Sequence, residues 1–98
     1  MLILQKEGVL TIMIDRNKQY FVGIDLGTSS AKTAVFDRSG ELLGCKKCSY
    51  ETYSPKPGIV LQKEEEVLEA VYHSCKSAIQ QANIPPESIA SVSFSARK

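Results

Sequence analysis

The amino-acid sequence predicts an α/β fold of the order β-β-β-α-β, in which three antiparallel strands, one long helix and a fourth strand form a mixed sheet. Two periodicities support this order. Apolar and polar residues alternate near residues 31–36 and 91–95, as in strands with one buried face. Between residues 64 and 82, apolar residues instead recur every three or four positions, as on one face of a helix. A right-handed crossover through that helix would make the last strand parallel to the first.

The first two strands enclose a turn of small residues. An apolar run over residues 21–24 ends in Asp25, and apolar alternation resumes at Ala31. The turn between them consists of Gly27, Thr28, Ser29 and Ser30. Glycine lets a backbone turn tightly and approach a ligand closely, and hydroxyls and backbone amides donate to phosphate oxygens. With the positive charge of Lys32 close by, we expect a phosphate-binding hairpin; a simple tight turn is the alternative.

Residues 27–33, GTSSAKT, partly match the P-loop pattern GxxxxGK[ST], which opens a helix. The second glycine is missing, and the spacing is one residue short. The residues that follow are typical of a strand and lead into a turn at residues 38–40. We therefore expect a loop between two strands rather than a P-loop.

The remaining elements follow in chain order. We expect a third strand over residues 41–53 and a loop over residues 54–58, which contain two prolines and a glycine. A helix is predicted over residues 64–82, ended by Asn83 and the two prolines that follow it. A last strand is predicted over residues 89–95, with Ser91, Ser93 and Ser95 on one face and Val92 and Phe94 on the other.

The predicted helix has an acidic start and an apolar stripe. Its first three residues, Glu64, Glu65 and Glu66, lie where the helix dipole favours negative charge. Lone His73 is expected on the helix surface. The residues predicted to face the sheet are Val67, Leu68, Val71, Cys75, Ala78, Ile79 and Ala82.

Composition narrows the class of protein. The net charge is +1, and no apolar run approaches the roughly 18 residues of a membrane span, so we expect neither nucleic acid nor a membrane as a partner. The three cysteines, an odd number, fit a reducing compartment, the cytoplasm. Cys45 and Cys48 form a C-x-x-C on the third predicted strand. Residues three apart on a strand point to opposite faces, so we expect no zinc site there.

Three segments in order resemble the FGGY family of carbohydrate kinases, which have the ribonuclease-H-like fold of the actin-like ATPases. They are GIDLGTSSAKTAVFDRSGELL (residues 23–43), YETYSPKPGIVLQ (residues 50–62) and NIPPESIASVSFSA (residues 83–96). The first is shared across the superfamily, and the three together are typical of the family, with most similarity to its gluconokinase and xylulokinase-like members. The second segment departs from the family where Ile59, Leu61 and Lys63 replace a tryptophan and two acidic residues.

The resemblance implies ATP, Mg²⁺ and a sugar or polyol as ligands. Asp25 would help to hold Mg²⁺, residues 27–30 would surround the β- and γ-phosphates, and Lys32 would neutralise their charge. Arg97 and Lys98 stand near the position that contacts the sugar in the family. The family's catalytic aspartate and adenosine site follow later in the chain, so we expect no catalytic residue within these 98 residues.

The resemblance also implies a domain organisation. Residues 1–19 would be an amino-terminal extension, and residues 20–98 would be the first part of the amino-terminal kinase domain. Residues 1–12 either add an edge strand or precede a start at Met13. We expect the whole to be a piece of a longer kinase, inactive alone, whose uncovered sheet face and edge favour self-association. A non-catalytic actin-like nucleotide-binding or regulatory module is the alternative.

Overall fold

The computed structural model describes residues 2–6, 9–13, 19–56, 59–62 and 64–96. The predicted helix and the four predicted strands are all present within these ranges, together with additional strands. The elements are β1 (Leu2–Lys6), β2 (Val9–Met13), β3 (Tyr20–Leu26), β4 (Ser30–Phe36), β5 (Leu42–Ser49), β6 (Thr52–Lys56), β7 (Ile59–Gln62), helix α1 (Glu64–Ala82), a 3₁₀ turn (Pro86–Ser88) and β8 (Ile89–Ala96).

The main sheet is mixed, as predicted. Within the described residues it has six strands in the order β1-β2-β8-β3-β4-β5. Strand β8 runs parallel to β3, and the other neighbouring pairs are antiparallel. Because α1 precedes β8, the helix forms the crossover that returns the chain to the side of β3. The predicted α/β fold class is confirmed.

The third predicted strand is shorter than expected. It was predicted over residues 41–53, whereas β5 ends at Ser49. The chain then leaves the main sheet. Strands β6 and β7 pair antiparallel with each other in a second sheet, which has two strands within the described residues.

The loop predicted over residues 54–58 was wrong for its first half, because β6 continues to Lys56. Residues 57–58 lie outside the described residues. Proline lacks the N–H that a strand ladder needs and is therefore confined to edges and bulges. Pro55 meets this condition, since the pairing register shifts between Tyr53 and Lys56.

Strands β1 and β2 form a hairpin ahead of the predicted core. Strand β2 is antiparallel to β8, with Met13 opposite Ser91 and Val9 opposite Ser95. Residues 2–6 and 9–13 thus form two added strands, and the alternative start at Met13 stays a prediction. As far as the chain is described, the edges of the main sheet are β1 and β5, and β8 has a neighbour on each side.

Helix α1 has the predicted bounds, Glu64–Ala82, and its acidic first turn. It ends at Asn83, which adopts a left-handed conformation with φ 56°. Asparagine tolerates this conformation better than most residues and often terminates helices in this way. The Asn83 N–H donates to the carbonyl of Ile79 at 3.1 Å.

The buried face of α1 differs from the predicted stripe. Its centre is Ala70, Ser74 and Ala78, whereas Leu68 is 67% exposed, so the prediction was wrong for Leu68. The physical reason is the close approach of the helix to Gly44 of β5. A Cβ built on Gly44 would lie 2.3 Å from the Ala78 carbonyl oxygen. Only small residues fit where a helix backbone lies this close to a sheet.

The other members of the predicted stripe lie at the margins of this contact. They are only partly buried and pack against two clusters of buried residues: Val67, Val71, Cys75, Ile79 and Ala82. One cluster includes Val22, Ile24 and Val35, and the other lies beneath the β3–β4 turn. The helix therefore lies over β4 and β5 on one face of the sheet, and buried side chains of β3 join the same core.

A pair of hydroxyls is buried within this interface. Thr33 of β4 and Ser74 of α1 are each 0% exposed, and their hydroxyl oxygens lie 2.8 Å apart. Ser74 Oγ donates its proton to the Val71 carbonyl at 3.0 Å, so Thr33 is the donor to Ser74. Both hydroxyls are thus satisfied, as buried polar groups must be.

Strand alternation separates the two faces of the sheet. Val92 and Phe94 of β8 lie beside Val22 and Ile24 of β3 and pack against the helix-side core, as predicted. The serines of β8 fall on the opposite face. In β5, Gly44 contacts α1 and Cys48 packs against the second cluster, which puts Cys45 on the face away from the helix.

Candidate functional site

The predicted phosphate-binding turn is a hairpin loop between β3 and β4. Strand β3 ends at Leu26 and β4 begins at Ser30. The Gly27 N–H donates to the Ser30 carbonyl at 2.9 Å and closes the loop. The loop leads into a strand rather than a helix, so the exclusion of a P-loop is confirmed.

Gly27 has a different role in the turn from the one its residue type suggests. The glycine with a positive φ in the described chain is Gly40, at 87°, and not Gly27. A Cβ built on Gly27 would meet the Ser30 carbonyl oxygen at 3.5 Å, which is an ordinary contact. The turn itself would therefore accept alanine, and glycine leaves only the volume of one methyl group beside the backbone.

Tyr50, just after β5, holds the loop in place. Its N–H donates to the Ser29 carbonyl at 2.9 Å, and its hydroxyl donates to the Gly27 carbonyl. The ring is only 7% exposed and packs with Ala31 and Ala70. One buried residue thus fixes both ends of the loop against the helix-side core. Sequence reasoning missed this role, because Tyr50 fell inside the strand predicted over residues 41–53.

The loop borders a cavity of about 370 Å³. All six residues predicted from the sequence to bind phosphate or metal meet there, and Lys47 of β5 joins them. The lining residues are Asp25, Gly27, Thr28, Ser29, Ser30, Lys32 and Lys47. The two weaker candidates, Arg97 and Lys98, lie outside the described residues.

The charged members of this cavity stand in neighbouring strands. Asp25 is the cross-strand partner of Lys32, and both lie on the sheet face away from α1. Opposite charges in this position stabilise a sheet by about 0.2–1 kcal/mol. Asp25 is half-buried, whereas Lys32 is exposed. The arrangement offers a carboxylate for a cation and an ammonium, amides and hydroxyls for an anion.

A second cavity of about 300 Å³ adjoins the first. It shares Asp25 and Lys32 with the loop cavity and extends over the sheet to Ser93 and Ser95 of β8. The serine face predicted for β8 therefore lies beside the phosphate loop. Together the two cavities extend along the uncovered side of the sheet from the loop to β8.

A third cavity, of about 490 Å³, lies between β5 and the start of α1 and includes Glu66, Glu69, Cys48 and His73. His73 is exposed on the helix, as predicted. Within the described part of the chain, no group of three or more histidine, cysteine, aspartate or glutamate residues is arranged to hold a metal ion. This cavity is separate from the phosphate loop.

Two groups among the described residues have altered pKa values, and both lie outside the loop cavity. Hydrogen bonds from the Ser39 hydroxyl and from the Glu41 N–H lower the pKa of Asp37, which organises the β4–β5 turn. Burial raises the pKa of the Cys75 thiol, on the inner side of α1. A thiol with a raised pKa is a poor nucleophile, so Cys75 has a packing role.

No helix in the described ranges is long and apolar enough to cross a membrane.

The chain is similar to known sugar and polyol kinases. Residues 20–98 match the family model described as the FGGY family of carbohydrate kinases, N-terminal domain. A glycerol kinase from Thermococcus gammatolerans is 32% identical over 75 residues, covering 76% of this chain and 15% of the relative. The chain thus spans about 15% of the length of the curated relatives it matches.

Solved structures share the fold. A gluconate kinase from Lactobacillus acidophilus superposes with a TM-score of 0.72 at 23% identity, over 83% of this chain and 16% of that one. A xylulose kinase from Brucella ovis superposes with a TM-score of 0.60 at 25% identity, over 70% and 14% of the two chains. The chain belongs to the FGGY family of carbohydrate kinases, and residues 20–98 correspond to that family's N-terminal domain.

Proposed function

We propose that the β3–β4 hairpin binds the phosphates of ATP in a kinase that transfers the γ-phosphate to a hydroxyl of a sugar or polyol. One observation supports this most: the loop cavity gathers a carboxylate, two lysines, three hydroxyl residues and a glycine, which has no side chain of its own. Phosphoryl transfer depends mainly on positioning and on neutralising charge, which these groups supply.

The loop residues divide the work of binding. Backbone amides of residues 27–30 and the hydroxyls of Thr28, Ser29 and Ser30 donate to the β- and γ-phosphate oxygens. Gly27 leaves room for the phosphates to reach the backbone, since its position carries no Cβ. Lys32 neutralises the phosphate charge. Tyr50 keeps the loop in one conformation before ATP arrives, which lowers the entropic cost of binding.

Asp25 is suited to holding Mg²⁺. Its carboxylate lines the same cavity as the phosphate loop, and hard oxygen donors are the ligands that Mg²⁺ prefers, often through water. An Mg²⁺ ion held there would supply positive charge that offsets the charge of the phosphates. Asp25 itself would orient the ion's water shell beside the loop.

The hydroxyl substrate belongs to the class used by the relatives, whose names specify glycerol, gluconate and xylulose. We place its binding near the carboxyl end of β8, where Arg97 and Lys98 follow. The general base is not assigned to any described residue, and residues 1–98 alone are expected to bind ATP without transferring phosphate. Cytoplasmic location, with the three cysteines reduced, and self-association through the free edge of β5 belong to the same proposal.

Calorimetric titration of ATP with and without Mg²⁺ into residues 1–98 tests the binding step. We expect Lys32→Met to weaken binding about tenfold, because a charge-assisted contact is lost, and Asp25→Asn to remove the benefit of Mg²⁺. Lys46→Met is the matched control, since Lys46 is exposed on β5 but does not line the cavity. Equal binding by all variants would refute the site.

The longer protein that contains this segment tests the reaction. Incubation with Mg²⁺, ATP and glycerol, gluconate or xylulose should yield ADP and one phosphorylated product. Binding of ATP without transfer to any of a wide panel of sugars and polyols would favour the non-catalytic nucleotide-binding module instead.

A further inference from the structure

Three charged residues form a row across the uncovered face of the sheet. Asp25 of β3 is opposite Lys32 of β4, and Lys32 is opposite Lys47 of β5. Residues at matched positions of neighbouring strands project from the same face. The order across the sheet is therefore negative, positive, positive, with the phosphate loop at one end of all three strands.

Without a bound anion, Lys32 and Lys47 are an unfavourable cross-strand pair. Like charges directly opposite each other on neighbouring strands destabilise the pairing. Asp25 stands between Ser95 of β8 and Lys32 of β4, so Lys47 lies on the side of Lys32 away from the carboxylate. An anion between the two ammonium groups would replace this repulsion with two attractions.

Lys47 also lines the cavity of the phosphate loop. Both lysines are exposed, so their flexible side chains can adjust to a ligand that enters from solvent. The cavity joins these two cations to the amides and hydroxyls of residues 27–30. Every group on the Lys47 side of Lys32 thus favours an anion rather than a cation.

We infer that Lys47 is a second phosphate-binding residue, which holds the polyphosphate of the nucleotide together with Lys32. This inference rests on the proposed function and adds a residue to it. It also divides the site into two parts: Asp25 would contact the metal ion, and the two lysines would contact the phosphates. Without Mg²⁺, the carboxylate repels the phosphates, so the contribution of Lys47 is largest in metal-free binding.

Lys46 provides a control within the same strand. It has the same charge as Lys47, is also exposed, and stands opposite Thr33, whose side chain faces α1. Alternation therefore places Lys46 on the other side of the sheet from the cavity. Replacing either lysine changes the net charge equally, and only Lys47→Met changes the phosphate side of the site.

The test uses inorganic tripolyphosphate, which lacks the base and the sugar of a nucleotide. It is titrated calorimetrically, without Mg²⁺, into the unchanged chain, Lys47→Met and Lys46→Met. We expect Lys47→Met to weaken binding about tenfold and Lys46→Met less than about twofold, with the difference shrinking at high salt. Equal losses in both variants would mean a non-specific charge effect and would overturn the inference.

The remaining outcomes separate this inference from the proposed function. If Lys47→Met binds tripolyphosphate as well as the unchanged chain while Lys32→Met does not, Lys47 is excluded and the phosphate site stands. If the unchanged chain binds neither tripolyphosphate nor ATP, both fail. Thermal unfolding without ligand gives an independent readout: relief of the like-charge pair should raise the Tm of Lys47→Met above that of Lys46→Met, and a lower Tm would count against the inference.

Discussion

The two faces of the sheet are built from alternate residues of the same strands, yet they differ in almost every property. On the helix side, Thr33 and Val35 are fully buried and the backbone of α1 lies against Gly44. On the uncovered side, the intervening residues include exposed Lys32 and Lys47. Stability is therefore concentrated on one face and the proposed ligand chemistry on the other, so changes to one should leave the other largely intact.

Gly44, on the helix side, and Gly27, in the β3–β4 loop, differ in the same way. At Gly44, a Cβ would overlap the Ala78 carbonyl oxygen at 2.3 Å and approach the Ala82 nitrogen to 3.0 Å. At Gly27, the nearest atom to such a Cβ is a carbonyl oxygen at 3.5 Å. The first glycine is needed for packing, whereas the second is needed only if a ligand uses the space.

The largest effect is expected at Gly44. Gly44→Ala should destabilise the fold by about 3 kcal/mol, since the helix backbone must shift to admit the methyl group. Chemical denaturation would measure the loss. Gly23→Ala is the matched control, because nothing lies within 4 Å of a Cβ at Gly23. Equal stability of the two variants would show that the helix does not lie this close to β5.

On the helix side, removing either partner of the buried Thr33–Ser74 hydrogen bond should destabilise the fold, but by different amounts. Ser74→Ala should cost about 2 kcal/mol, because it leaves the buried Thr33 hydroxyl without its acceptor. Thr33→Val should cost about 1 kcal/mol, since Ser74 keeps its bond to the Val71 carbonyl. The double variant should cost less than the sum of the two. Additive losses, measured by urea unfolding, would argue against a direct bond.

On the uncovered face, Gly27→Ala should affect binding and not folding. We expect its free energy of unfolding to change by less than about 0.5 kcal/mol, as at an unstrained surface position. Its affinity for ATP with Mg²⁺ should fall about tenfold, because the methyl group keeps the phosphates away from the backbone. A Gly27→Ala variant that loses stability but retains its affinity for ATP would contradict this prediction.

The smallest effect belongs to the β4–β5 turn, away from both faces. The pKa of Asp37 is lowered from its ordinary value of 3.8, so its stabilising contribution is complete above that pH and is lost as the pH falls through the lowered value. Asp37→Asn should therefore flatten the decline in stability below about pH 4. Unfolding curves between pH 2 and 7 would measure this. An unchanged slope of unfolding free energy against pH would show that Asp37 does not contribute to the loss of stability in acid.

The local elements could be predicted because their causes are local. A small-residue turn between alternating segments indicates a hairpin, and Asn83 before two prolines marks a helix end. The segment over residues 54–58 was harder. Its proline- and glycine-rich composition favoured a loop, yet β6 pairs with β7, because the register shift there accommodates Pro55.

The candidate site was predictable only in part for a similar reason. Six of its residues are close together in the sequence, so one motif identified them. Lys47 comes from another strand and joins them only through the pairing of β4 with β5. Tyr50 reaches the loop because the antiparallel pairing of β5 with β4 brings the end of β5 beside Ser30, and its hydrogen bond to Gly27 spans 23 positions.

The sequence by itself determined the order of the elements, the bounds of α1 and the residue types of the phosphate loop, because periodicity, helix ends and turn chemistry act over a few residues. Tertiary structure alone decided that Lys47 stands opposite Lys32, that Ser74 rather than Leu68 faces the sheet, and that β2 pairs with β8. Strand register and the rotation of a helix depend on contacts between distant segments, and no local pattern specifies which partner each segment will meet.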